Sequence, residues 1–132
     1  MRDAAPTRPR VLLVEDERVS REALHRLLVL SGYDTTSVGT VAGALAKLSA
    51  KAQGRPPYPC VVLDLMLPDG PGTAVLERLR AGPGPVRVAI TTGTDDPALL
   101  EAARRLNPDV LMEKPIQLAR LVEWLEACHA GP

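Results

Sequence analysis

Four short blocks of this chain hold residues that could work on an oxyanion or a hard metal ion. Glu15 and Asp16 follow the apolar run in VLLVEDE, Asp64 interrupts VVLDLMLPDG, Thr91 and Thr92 close VRVAITTG, and Lys114 precedes Pro115 in MEKP. Burying an unpaired carboxylate is expensive, so an acid at the end of an apolar run belongs at the rim of a fold. Taken one at a time, these residues read as solvated strand ends, a β-former and a surface lysine. Taken together they specify more. Three carboxylates held close repel one another, and one stays protonated unless a cation is supplied. Hard oxygen ligands, few in number and with room left for water, suit Mg²⁺, which shares its coordination with phosphoryl oxygens. A carboxylate beside such an ion can attack phosphorus and form an acyl phosphate. A lysine and a hydroxyl can hold the remaining oxygens. The residues point to a phosphorylatable aspartate at Asp64.

These blocks can meet only if the chain brings their ends to one edge. Short β-rich runs alternate with segments of helical periodicity. RVLLVED (10–16) reads as a strand, and the helix after it, closing at Gly32, is predicted to face inward with Val19, Ala23, Leu27 and Leu30. YDTTSV (33–38), CVVLDLM (60–66), VRVAITT (86–92) and DVLME (109–113) are the other four strands. A second helix follows a Thr40 cap with Val41, Leu45 and Leu48 on one face, and a third carries Val75, Leu76 and Leu79. The fourth opens with a capping Asp and Pro97, and the fifth is predicted to turn Leu118, Leu121, Val122 and Leu125 inward. GRPPYP (54–59) and GPGP (82–85) are loops by composition. Five strands alternating with five helices require parallel pairing, and right-handed crossovers then cover both faces of the sheet. The fold class is α/β, a single doubly wound five-stranded parallel sheet with its ligands at the carboxyl ends of the strands. All four chemical blocks lie at such ends, gathered from positions about a hundred residues apart.

Composition removes other classes. The chain of 132 residues has one domain's length, and an apolar share of 45% supports a packed core rather than disorder. Sixteen basic residues balance sixteen acidic ones, so no global field draws the chain to nucleic acid or to an anionic membrane. Phe is absent and aromatics make up 2%, too few to stack against bases or a flavin ring. Cys60 and Cys128 lie far apart in sequence with no CxxC spacing, and read as small buried hydrophobes in a reducing compartment. His25 and His129 fall on helices with no partner pattern. No stretch has the length of a membrane span, and the expected location is cytoplasmic.

VLLVEDE, VVLDLMLPDG, ITTG and MEKP resemble, in order and spacing, the signature blocks of the receiver domain of bacterial two-component response regulators. The resemblance covers residues 9–128, leaving 1–8 as a flexible N-terminal segment and 129–132 as a C-terminal tail. It implies a flavodoxin-like (βα)₅ fold in which a sensor histidine kinase or phosphotransfer protein passes a phosphoryl group to Asp64. Such a chain promotes only its own phosphorylation and dephosphorylation, and signals to a downstream protein or a missing output domain, with a homodimer possible. The implied Mg²⁺ ligands are Glu15, Asp16, Asp64 and the backbone carbonyl of Met66, with Asp16 direct and Glu15 through water. Thr92, followed by the small Gly93, matches the family's hydroxyl, and strand alternation sends Thr91 the other way. Lys114 contacts the phosphoryl group, aimed there by a cis bond to Pro115 that proline alone makes accessible.

Some positions depart from the family pattern. Leu111 stands where many receivers carry a switching aromatic. Met66 and Thr94 occupy positions that tune dephosphorylation and supply neither acid nor amide, which implies a long-lived phosphoryl state. A flavin-binding flavodoxin would need its phosphate loop after the first strand, and a haloacid dehalogenase phosphatase would need an Asp where Met66 stands. A receiver-like interaction module that is never phosphorylated shares the fold, and phosphoryl uptake separates the two readings.

Overall fold

The computed structural model describes residues 9–49 and 58–129. The expected N-terminal segment 1–8, most of the loop at 54–59, and residues 130–132 of the expected tail lie outside them. In chain order the elements are β1 (Arg10–Val14), α1 (Arg18–Leu30), β2 (Asp34–Val38), α2 (Val41–Leu48), β3 (Cys60–Asp64), β4 (Met66–Leu67), β5 (Gly70–Pro71), α3 (Thr73–Ala81), β6 (Arg87–Thr92), α4 (Pro97–Arg105), β7 (Val110–Glu113) and α5 (Leu118–His129). Five strands form one parallel sheet in the order β2-β1-β3-β6-β7, the doubly wound α/β arrangement expected from the alternation. The two-residue strands β4 and β5 pair as an antiparallel hairpin directly after Asp64. Among the described residues, no helix is long and apolar enough to cross a membrane.

The unbroken apolar runs explain the layering. Every residue of β3, and every residue of β1 after Arg10, is buried, as expected for strands covered on both faces. Alternation divides them between two cores. Val11, Leu13, Cys60, Val62 and Met112 pack with Leu24 and Leu28 of α1 and Leu121 and Leu125 of α5. Leu12, Val14, Val61, Leu63, Val88 and Ile90 pack with α2, α3 and α4 on the other face. Each such aliphatic side chain stabilises the fold by about 1.5–3 kcal/mol.

The inward face of α1 differs from the predicted one. Leu24 and Leu28 are buried, whereas Val19 is 73% and Leu30 79% exposed, and Ala23 also faces solvent. The run Leu27-Leu28-Val29-Leu30 offers an apolar residue on every side of the last turn, so spacing alone does not select a face. Arg21 lies on the same side of the helix as the buried leucines. Its guanidinium donates to the backbone carbonyls of Glu15 and Asp16, both at 3.0 Å, and Leu24 and Leu28, three and seven residues on, face the sheet. In α5, Leu121 and Leu125 are buried as expected, but Leu118, the first helical residue, is 47% exposed.

The predicted caps are present. Thr40 Oγ1 accepts from Gly43 N–H at 2.9 Å, and Asp96 Oδ1 accepts from Ala98 N–H at 3.0 Å with Pro97 opening α4. Gly32 follows α1 at φ +97°, a conformation that favours glycine. At its far end α2 receives a hydrogen bond from α3, Arg78 Nη2 donating to the Leu48 carbonyl at 3.4 Å.

Candidate functional site

β1 and β3 are neighbours at the centre of the sheet, with Val14 opposite Leu63, so the residues that follow them emerge side by side at the carboxyl edge. Glu15 and Asp64 are both buried there, at 1% and 4% exposure. One ammonium joins them. Lys114 Nζ donates to Asp64 Oδ2 at 2.9 Å and to Glu15 at 3.0 Å from Oε1 and 3.1 Å from Oε2. Lys114 follows β7, the edge strand two places from β3, and its own N–H donates to the Thr92 carbonyl at 2.8 Å. Its bond to Pro115 is cis, as expected from the sequence.

The carboxylates have further donors. Asp64 Oδ1 accepts from Met66 N–H at 3.0 Å, and Glu15 Oε2 accepts from Glu17 N–H at 2.9 Å. Burial by itself lowers the pKa of Lys114, but the hydrogen bonds and charges of Asp64 and Glu15 outweigh it, so the ammonium is held above the ordinary lysine value. A buried acid pair compensated by one cation is chemically sound; without it, two desolvated like charges would face each other.

Asp16, Thr92 and Met66 stand at the same edge outside this ionic cluster. Asp16 is exposed, and its carbonyl is tied to Arg21. Met66 lies in β4 and is 55% exposed. Thr92 is buried, and its Oγ1 accepts from Thr94 N–H at 3.0 Å. The register pairs Asp64 with Thr91, so alternation places Thr91, rather than Thr92, on the sheet face of Asp64. Thr92 reaches the edge as the last residue of β6, one position nearer the carboxyl end. Among the described residues, no three His, Cys, Asp or Glu side chains are gathered closely enough to hold a metal ion. Lys114 takes the position between Glu15 and Asp64.

Four residues that position this site did not stand out in the sequence. Arg21 holds both carbonyls of the acidic pair, and Gly39 leaves room for it: a Cβ there would come within 2.6 Å of Arg21 Nη1. Asp69, in the hairpin after Asp64, caps a different element. Its Oδ1 and Oδ2 accept from Val41 and Ala42 N–H at 2.8 and 3.0 Å, and these bonds to the first turn of α2 lower its pKa. Gly72 packs its backbone against the chain at Asp64, its N–H donating to the Leu65 carbonyl at 2.7 Å, and a Cβ would collide with the Asp64 carbonyl oxygen. The PDG turn was the available signal for Asp69; nothing in spacing marks a glycine as packed against a backbone.

The family model described as the response regulator receiver domain matches residues 11–126. This chain belongs to that family. The receiver is similar to the transcriptional regulatory protein AruR of Pseudomonas aeruginosa, at 34% identity over 94% of this chain and 54% of that one. It is similar also to the transcriptional regulatory protein FixJ of Bradyrhizobium diazoefficiens, at 28% identity over 92% and 57%. The receiver thus spans about half the length of the curated relatives it matches. Among solved structures, a response regulator receiver domain from Methylobacillus flagellatus superposes with a TM-score of 0.76 at 30% identity, covering 92% of this chain and 99% of that one. The receiver domain of a sensor histidine kinase from Pseudomonas aeruginosa, solved with a magnesium ion coordinated in its active site cleft, shares the fold at a TM-score of 0.79 and 22% identity, covering 95% and 100%. The family and the flavodoxin-like fold are therefore those implied by the four sequence blocks. As a receiver, the chain is a phosphoacceptor module of two-component signalling and belongs with signalling proteins rather than conventional enzymes.

Proposed function

We propose that this receiver, as a unit of residues 9–128, accepts a phosphoryl group on Asp64 from a phosphohistidine of a cytoplasmic sensor kinase or phosphotransfer protein. The observation that carries the reading is the Lys114 ammonium, within about 3 Å of two buried carboxylates from two other strands. Asp64 Oδ attacks phosphorus, the P–N bond to the donor imidazole breaks, and the imidazole leaves with the electron pair. Asp64 Oδ2, bound to Lys114 in the resting site, is the oxygen whose bond to the ammonium gives way to one between the ammonium and the phosphoryl oxygens. Thr92 supplies the hydroxyl for a second oxygen. The resulting acyl phosphate is hydrolysed at the same site, so the chemistry is confined to the receiver itself.

The chemistry of the donor set suits Mg²⁺: hard carboxylate oxygens of Glu15 and Asp64 already share one cation, and Asp16 and Met66 follow them at the same edge, outside that pair. When bound, Mg²⁺ offsets charge on the transferring phosphoryl oxygens. Glu15, Asp16, Asp64 and the Met66 carbonyl are the proposed ligands. The signal passes to a downstream protein or to an output domain in a longer chain.

Incubation with Mg²⁺ and acetyl phosphate, followed by intact mass spectrometry, tests this. One labile phosphoryl adduct is expected in the wild type and none in Asp64→Asn. A wild type that takes up no phosphoryl group from either this donor or a kinase would identify an unphosphorylated interaction module instead. The adduct is expected to outlast seconds, because Met66 and Thr94 present neither acid nor amide to orient attacking water.

A further inference from the structure

Far from the phosphoacceptor edge, the fold brings together two cysteines that are 68 positions apart in sequence. Cys60 is the first residue of β3 and is buried at 1%; Cys128 lies in the last turn of α5 and is half-buried. Cys60 lies in the core under α1 and α5, Cys128 packs against that core, and the thiols are close enough for each to shift the other's pKa. A third group completes the cluster. His129 Nε2 is 3.6 Å from Cys60 Sγ, and His129 Nδ1 is 2.8 Å from the Leu125 carbonyl. A carbonyl only accepts, so Nδ1 carries the ring proton and Nε2 presents a lone pair to the thiol. Tyr33 packs its ring against the imidazole at a centroid distance of 5.5 Å and helps fix its orientation.

We propose that Cys60 and Cys128 form a redox-active dithiol, oxidised to an intramolecular disulfide by exchange with a small-molecule disulfide, with His129 as the base for the buried thiol. The asymmetry in burial assigns the order of events. Cys128, the reachable thiol, gives up its proton to water and attacks one sulfur of the small disulfide, releasing the first small thiol and leaving a mixed disulfide on Cys128. Cys60 then passes its proton to His129 Nε2 and attacks the Cys128 sulfur. The bond to the small-molecule sulfur breaks, and the second small thiol leaves, taking the proton back from the imidazolium. Two protein thiols are oxidised to one disulfide, and one small disulfide is reduced to two thiols.

Burial raises the pKa of both thiols, so little thiolate is present at rest and indiscriminate reaction is slow. A base with a fixed tautomer is what such a pair needs for closure. Among the described residues these side chains do not form a metal-binding group. The bond would fasten the last turn of α5 to the start of the central strand, at the opposite end of β3 from Asp64. The site is therefore independent of the phosphoryl reading.

The test exposes the full chain, under native conditions, to hydroxyethyl disulfide, quenches it with an alkylating agent, and reads intact mass and non-reducing peptide maps. In the wild type, both alkylatable thiols are expected to disappear together, with one Cys60–Cys128 linked peptide that a reducing agent reverses. Cys60→Ser and Cys60→Ala are each expected to stop at a mixed disulfide on Cys128, and Cys128→Ser to react at least about tenfold more slowly. His129→Gln is expected to slow closure several-fold without slowing formation of the mixed disulfide. Mixed disulfide that accumulates without closing in the wild type overturns the proposal, as does linkage between chains or reaction only in denaturant.

Discussion

Replacing Lys114 with Met keeps a side chain of similar length and removes the one cation between Glu15 and Asp64. Both carboxylates place an oxygen within about 3 Å of the same nitrogen, so these oxygens stand no more than about 6 Å apart, and at an effective dielectric of about 20 two charges at that distance repel by about 3 kcal/mol. The Lys114 side chain is 29% exposed, and solvent reaching the cluster from that side reduces the expected loss of stability to about 1–2 kcal/mol at neutral pH. Urea melts at fixed protein concentration, in chelator and then in Mg²⁺, measure it. Mg²⁺ is expected to narrow the gap, because it supplies the missing charge, and Lys114→Met is expected to bind the ion up to about tenfold more tightly than wild type. The pH dependence has a fixed sign. Lys114 has a folded pKa above its unfolded value, so its contribution is whole below the unfolded value of about 10.4 and is lost as pH rises through the folded one. The gap should hold across neutral pH and close in alkali. Equal stability of the two proteins at pH 7 in chelator would refute charge compensation by Lys114, and equal Mg²⁺ affinity would refute competition between lysine and metal.

Gly72→Ala forces a Cβ onto the Asp64 carbonyl and is expected to destabilise by about 2–3 kcal/mol in thermal or urea unfolding, with slower phosphoryl uptake in whatever remains folded. Thr92→Ala is expected to slow uptake from acetyl phosphate by about tenfold or more, the effect of losing one hydrogen bond to a charged group, while Thr91→Ala leaves the rate near wild type. The opposite result would mean that the Asp64–Thr91 register governs the hydroxyl. Asp69→Ala is expected to lower the melting temperature at neutral pH. Because the folded pKa of Asp69 is depressed, its contribution is present above the unfolded value of about 3.9 and lost as pH falls through the folded one, so the difference should vanish in strong acid.

The main architecture was legible because each strand carries a continuous β-rich run and each helix a spaced apolar face. The acids and the lysine were legible because charge at the end of such a run has few other uses. What escaped has physical reasons. The hairpin of β4 and β5 has two residues per strand, too short for any period. The inward face of α1 escapes spacing because Leu27 to Leu30 are apolar in every direction, while Leu24 and Leu28 are the ones buried. The resting bridge of Lys114 between Glu15 and Asp64 depends on distances that only the folded sheet defines. The cluster of Cys60, Cys128 and His129 joins a strand start to a helix end across 68 positions, and no local pattern records it.

α2 follows the edge strand β2, packs against α3 and β1, and is only eight residues long. Yet both of its ends are fastened to the segment that follows Asp64: Asp69 holds the N–H groups of Val41 and Ala42, and Arg78 holds the Leu48 carbonyl. In amide hydrogen exchange, α2 should therefore open together with the acceptor loop and α3 as one cooperative unit, more slowly than β2 beside it.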